Sequence, residues 1–144
     1  MSYNEFNPRV ENYNLGTMWC WHRRYDLGDS DRNKYDTRNF SGWSEMKEAI
    51  QKDINPVAIL PLYLYDHSGI TMRTEPFSCP WDSGQVGFIF FTREKLKDLG
   101  YKIASKSAVK KAMACLEAEV KDYDRYLTGE AEEEYEYPEE EEVS

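Results

Sequence analysis

Apolar and polar residues alternate from Leu15 to Tyr25, the period of a strand, with Met18, Cys20 and His22 on one side and Thr17, Trp19, Trp21 and Arg23 on the other. Trp43, Met46, Ile50 and Ile54 then recur at steps of three and four, the stripe of a short amphipathic helix. Asn55-Pro56 ends it, because the residue before a proline is pushed out of the helical region. Val57 to Tyr65 is apolar on both faces, with Leu60, Leu62 and Leu64 against Tyr63 and Tyr65, which predicts a strand covered on both sides. Pro61 within it implies an edge position or a bulge. Asp66-His67-Ser68-Gly69 has turn composition and Ile70 to Glu75 alternates, so a hairpin is predicted across that turn. After a loop over 76–87, Val86 to Thr92 predicts a further strand, Phe88 and Phe90 opposite Ile89 and Phe91. Thr92 is placed to cap a short helix over 93–99, which Gly100 ends.

The longest periodic segment runs from Ser107 to about Leu127, with Val109, Met113, Leu116, Val120, Tyr123 and Leu127 on one stripe. Glu117 and Lys121 stand in the favourable i,i+4 order on this helix, and Thr128-Gly129 ends it. Residues 1–14 are polar and read as an arm; residues 26–39, rich in Asp, Asn, Ser and Gly, read as a long loop of the functional or mobile kind. Central strands with flanking helices predict an α+β fold. It would have a small antiparallel or mixed sheet flanked by a long C-terminal helix and one or two short ones, in a single domain over 1–129.

Charge divides the chain at that point. Of its 27 acidic residues, nine are glutamates between Glu130 and Ser144, a stretch with no Lys or Arg. The other 18 meet 18 Lys and Arg, so the body is neutral and the net charge of −9 belongs to the tail. Composition predicts that the tail is disordered. It serves either as a solubilising terminus or as a strip competing for a basic groove, with glutamates in place of phosphates and Tyr135 and Tyr137 in place of bases. A neutral body with an acidic tail disfavours direct duplex binding. Cys20, Cys79 and Cys115 are odd in number and widely spaced, and the N-terminus lacks a charged-then-apolar signal. Both point to reduced thiols and a cytoplasmic location. No run reaches the roughly 18 apolar residues of a membrane helix.

His22, Arg23, Asp66, His67, Ser68, Cys79, Asp82 and Ser83 are the polar residues that the predicted topology could gather at one end of the sheet. As a metal site, Cys20, His22, His67 and Cys79 have the ligand types of zinc without a zinc spacing, and neither a metal nor a cofactor is expected. As a catalytic site, His22 or His67 would be the general base, Asp66 or Asp82 would orient it, and Ser68 or Ser83 would be nucleophile or binder. Asp66 and His67 are adjacent, which suits a relay badly because neighbours at a strand end point apart. The expected reading is turn architecture, with Asp and Ser bonding across the two loops and Gly69 at positive φ. No phosphate-cradling motif is present. Arg23 and Arg24 beside Trp19, Trp21 and Tyr25, and the lysines at 102, 106, 110 and 111, are the footholds for single-strand stacking or phosphate contact.

Pro61-Leu-Tyr-Leu-Tyr-Asp-His-Ser-Gly69 and Cys79-Pro-Trp-Asp-Ser-Gly-Gln-Val-Gly87, with Trp21-His-Arg-Arg-Tyr-Asp-Leu-Gly28 and Glu119-Val-Lys-Asp-Tyr-Asp-Arg-Tyr-Leu-Thr-Gly129, resemble a family of small proteins carried by bacterial phages and mobile elements. The resemblance spans most of residues 13–129 and implies expression inside a host bacterium. Small phage proteins of this sort often act in host takeover or counter-defence, including inhibition of CRISPR effectors and restriction enzymes; no catalytic role attaches to the family. Its members continue past the Leu-Thr-Gly block with an aromatic segment, where this chain turns to glutamates. The resulting expectation is a binding protein that inhibits a host nucleic-acid enzyme or defence complex. Its contacts would be Trp21, Arg23, Arg24, Tyr135, Tyr137, Glu139, Glu140, Glu141 and Glu142. The alternative is a small hydrolase or nucleotide-binding enzyme using His22, His67 and Asp82.

Overall fold

The computed structural model describes residues 6–32 and 35–129. The tail, with Tyr135, Tyr137 and Glu139 to Glu142, lies outside the described residues. Strands β1 (Gly16–Cys20), β2 (Ala58–Asp66), β3 (Ile70–Arg73) and β4 (Ser83–Phe91) form one antiparallel sheet in the order β1-β4-β2-β3. Four α-helices accompany it: α1 (Pro8–Glu11), α2 (Trp43–Ile54), α3 (Arg93–Asp98) and α4 (Lys106–Thr128). The fold is α+β as the pattern predicts, and none of the helices is long and apolar enough to cross a membrane.

The sheet is covered on both faces. Leu62, Leu64, Met72, Ile89 and Phe91 pack with Leu116, Val120 and Tyr123 of α4 on one side. Trp19, Phe88 and Phe90 pack with Met46 and Ile50 of α2 and with Tyr35 on the other. Strand β4 is therefore buried on both faces, which is why its sequence reads as an unbroken apolar run. Each such buried side chain contributes about 1.5–3 kcal/mol relative to exposure. Thr92 and Ser105 cap α3 and α4, accepting from the N–H groups of Lys95 and Ala108.

Pro61 meets both of its expectations. Strand β3 pairs only with Tyr63 to Asp66, so Pro61 lies where β2 has no neighbour on that side. The register also slips between Leu62 and Tyr63, whose partners are Gly87 and Gln85, and Val86 is the extra residue of a bulge.

Carboxylates take outward N–H groups at the two edge strands, β1 and β3. On β3 the Met72 N–H donates to Asp124 Oδ1 (2.8 Å), which also accepts from Thr71 Oγ1 (2.6 Å). On β1 the Met18 N–H donates to Asp29 Oδ2 (2.9 Å), and the Leu15 N–H to Glu119 Oε2 (2.8 Å). An edge whose N–H groups are taken is closed to further pairing.

Several boundaries and placements differ from the sequence reading. The predicted N-terminal arm is docked: Arg9 of α1 is buried and bonds Asp29, Glu119 and the Gly16 carbonyl. On α4 the buried stripe is Ala108, Ala112, Leu116, Val120 and Tyr123, with Val109 and Met113 only half-buried. Alanine fits there because bulk comes from facing elements, Phe91 of β4 and Leu96 of α3 being buried in the same cluster. Glu117 accepts from Thr74 Oγ1 (3.0 Å) on the side facing β3. Strand β1 ends at Cys20 rather than Tyr25, and β4 begins at Ser83, three residues before its apolar run.

Candidate functional site

The early end of β1 and the early start of β4 create the site. The Trp21 N–H makes the last bond between the two, to the Val86 carbonyl (2.8 Å). Beyond it the chain leaves the sheet while β4 continues alone beside β2. The gap is a cleft of about 370 Å³, walled by His22, Arg24, Asp66, Trp81, Asp82 and Gln85 among others. Most of the polar residues singled out in the sequence thus gather at one end of the sheet.

The β2–β3 turn holds Ser68 at φ 62° and Gly69 at φ 140°, with the His67 N–H bonded to the Gly69 carbonyl (2.9 Å). Gly69 adopts the positive φ expected of it, and Ser68 shares it. The two aspartates bond side chains rather than the turn's N–H groups: Asp66 pairs with Arg24, and Asp82 Oδ2 lies 3.2 Å from His67 Nδ1. The Asp66 N–H donates to the Asp82 carbonyl (2.8 Å), tying the second loop to the hairpin. Ser83 donates its hydroxyl to the Cys79 carbonyl, a turn-closing bond that leaves no proton for a histidine to take.

The two histidines differ in what they can do. His22 Nδ1 accepts from the N–H groups of Arg24 (3.1 Å) and Tyr25 (3.3 Å). That fixes the neutral tautomer with the proton on Nε2, so His22 is a donor toward the cleft rather than a base. Burial holds its pKa below the usual histidine value; Asp66 opposes the shift, and the charges of Arg24 and Arg23 add to it. Protonation of His22 therefore favours the unfolded chain. Its contribution to stability is present above the unfolded value of about 6.5 and is lost as pH falls through the lower folded value. The expected result in a nitrogen-detected NMR titration is a His22 ring protonated at Nε2 that titrates below the ordinary histidine value of about 6.5. A His22 midpoint above that ordinary value would contradict the geometry.

His67, mostly exposed, pairs with Asp82 and leaves Nε2 free. It stacks loosely on Tyr65 (6.0 Å), Tyr65 on Phe77 (5.4 Å), and Arg73 lies over Phe77 at 4.1 Å. The cleft itself is lined by Trp81, 84 % exposed. Sequence reasoning did not single out Trp81 or Phe77. The available signal was a tryptophan in a Pro- and Ser-rich loop, off any strand or helix period.

The remaining candidates separate. Trp21 donates its indole N–H to the Tyr35 carbonyl (3.1 Å) and meets Trp43 at 6.0 Å, so it belongs to the α2 side. Arg23 is exposed, and Arg24 reaches the cleft. Cys20 is buried in the core, its thiol pushed up to about 12 mainly by burial, whereas Cys79 is half-exposed beside Asp82. Among the described residues no group of three or more His, Cys, Asp or Glu has the geometry to hold a metal ion. A second groove of about 610 Å³, lined by Tyr13, Asp26, Asp31 and Lys95 among others, lies along the outer side of β1. No family model matches the chain, and neither a curated protein nor a solved structure matches it.

Proposed function

We propose that this protein acts by binding, through the cleft end of its sheet, and that its target is a host nucleic-acid enzyme or defence complex which it inhibits. The observation that carries the binding reading is Trp81, a large aromatic standing 84 % exposed at the rim of a cleft that also holds Arg24. Tryptophan and arginine are the side chains most often found at the energetic centre of an interface. Groups that chemistry would need are instead committed: His22 Nδ1 to two main-chain donors, Ser83 to a carbonyl. The choice of target rests on the nine glutamates of residues 130–144, which match a phosphate-binding groove in charge, and on the resemblance to phage proteins.

The test is affinity capture from bacterial lysate with the full chain, a 1–129 truncation and Trp81→Ala, each at low and high salt. Trp81→Ala is expected to weaken retention of the partner by at least about 2 kcal/mol, roughly thirtyfold, at either salt. The truncation is expected to lose the salt-sensitive part of the affinity. Equal retention by all three chains would defeat the proposal.

A second reading keeps a foothold in the 3.2 Å contact between His67 and Asp82, the arrangement of a histidine base oriented by a carboxylate. It proposes a small hydrolase or nucleotide-binding enzyme. Nucleotide turnover by the full chain that His67→Ala abolishes would support it over the first.

A further inference from the structure

The cleft is bounded by an open strand edge. The Asp66 N–H to Asp82 carbonyl bond makes 66 and 82 a hydrogen-bonded pair, and in an antiparallel ladder such pairs alternate. Leu64 and Gly84 are then the next hydrogen-bonded pair, and Gly84 turns its main-chain groups to β2. Ser83 and Gln85 consequently turn theirs the other way, to the side on which β1 lies further along. Outside the β2–β4 ladder, no hydrogen bond among the described residues reaches the main-chain N–H or C=O of Ser83 or Gln85. The outer edges of β1 and β3 are taken up by Asp29, Glu119 and Asp124. This short edge, facing His22 and Arg24 across the cleft, is not closed in that way.

We infer that the cleft receives a short extended segment of a partner protein, which continues the line of β1 and pairs with Ser83 and Gln85. This rests on the binding reading above and names how the partner is held. Three residues of edge match about 10 Å of extended chain. Main-chain pairing would supply register and the cleft walls would select the side chain. Those walls select a cation. Asp66 and Asp82 both line the cleft, with side chains 22 % and 35 % exposed. Among the described residues each is countered only by an exposed group: Arg24 at 64 % and His67 at 63 %. Asp66 already receives a guanidinium from Arg24, so the geometry for one is in place. An arginine of the partner takes over Asp66 from Arg24, and Trp81 at the rim offers its face to a planar cation. The occupant is therefore an extended, arginine-bearing segment.

The test uses the full chain, isotope-labelled for NMR, and three capped pentapeptides: Thr-Val-Arg-Val-Thr, the same peptide with Glu for Arg, and the Arg peptide N-methylated at alternate amides. Decathymidylate is the fourth probe. The Arg peptide is expected to shift the amide signals of Ser83 and Gln85 and to slow their hydrogen exchange. The Glu peptide should bind at least about tenfold more weakly, and the methylated one should not bind. Asp66→Asn should weaken the Arg peptide by at least about fivefold. Undisturbed amides at millimolar Arg peptide, equal binding of the Glu peptide, or decathymidylate moving these amides in place of the peptide would each overturn the inference. Its failure is distinguishable from that of the binding reading. If captured partner is lost with Trp81→Ala but kept with Gln85→Pro, which removes one cleft-facing N–H, the protein binds through this end by some other contact.

Discussion

Arg9→Met is expected to lower the unfolding free energy by about 3–5 kcal/mol, read from the shift of a urea transition. The Arg9 side chain is 1 % exposed. Its Nε and Nη2 donate to the two carboxylate oxygens of Asp29 (2.9 Å each), its Nη1 to Glu119 Oε1 (2.8 Å), and its Nη2 also to the Gly16 carbonyl (2.9 Å). The same carboxylates accept the N–H groups of Leu15, Gly16 and Met18, so one guanidinium holds the outer edge of β1 to α4 and to the 26–31 segment. Methionine keeps most of the stem but leaves two carboxylates, 23 % and 15 % exposed, without their cation. The loss is large beside a total stability of about 5–15 kcal/mol for a domain. Asp29→Asn in the Arg9→Met background should recover part of it, since one of the stranded charges is then gone. A loss under about 1 kcal/mol would mean that the network is not formed in solution.

Gly87→Ala is the second large effect, expected to cost about 4 kcal/mol or more, or to prevent soluble folding. Gly87 faces Cys20 across β1 and Leu62 across β2, at the bulge. A β-carbon there would fall on the Trp19 carbonyl oxygen and 2.9 Å from Cys20 Cα. Both are main-chain atoms, so relief requires β1 and β4 to part rather than a side chain to turn. Gly84→Ala, three residues earlier, meets nothing within 4 Å and is not at positive φ. It should change stability by no more than about 1 kcal/mol in either direction. Thermal melts of the two variants side by side would check this, and similar melting temperatures would contradict the register at the bulge.

These two positions show what the pattern along the chain left out. Arg9 sits in a polar segment with no apolar period. Nothing local marks it as buried, because its partners Asp29 and Glu119 are 20 and 110 residues away. Gly87 is one of two glycines in the Ser83-Gly-Gln-Val-Gly87 run, and only the approach of β1 distinguishes it from Gly84. Trp81 escaped notice for the converse reason. An exposed aromatic in a loop carries no periodic signal, and its meaning comes from the cleft beside it.

The sequence by itself determined most of the elements and their order: the stripe of α2, the two-faced apolar runs of β2 and β4, the cap at Thr92, and the turn at Gly69. Those are local, since side-chain periodicity and φ preferences act over a few residues. It also fixed the contrast between a neutral body and an acidic tail, a matter of counting. Only the tertiary structure decided which carboxylate meets which cation, that Asp66 goes to Arg24 and Asp82 to His67, and that Trp21 turns to α2 while Arg24 turns to the cleft. Where β1 stops short of β4 was likewise settled by the packing of the whole sheet. Pairing across tens of residues depends on register and on the bulge at Val86, and no window of sequence contains both partners.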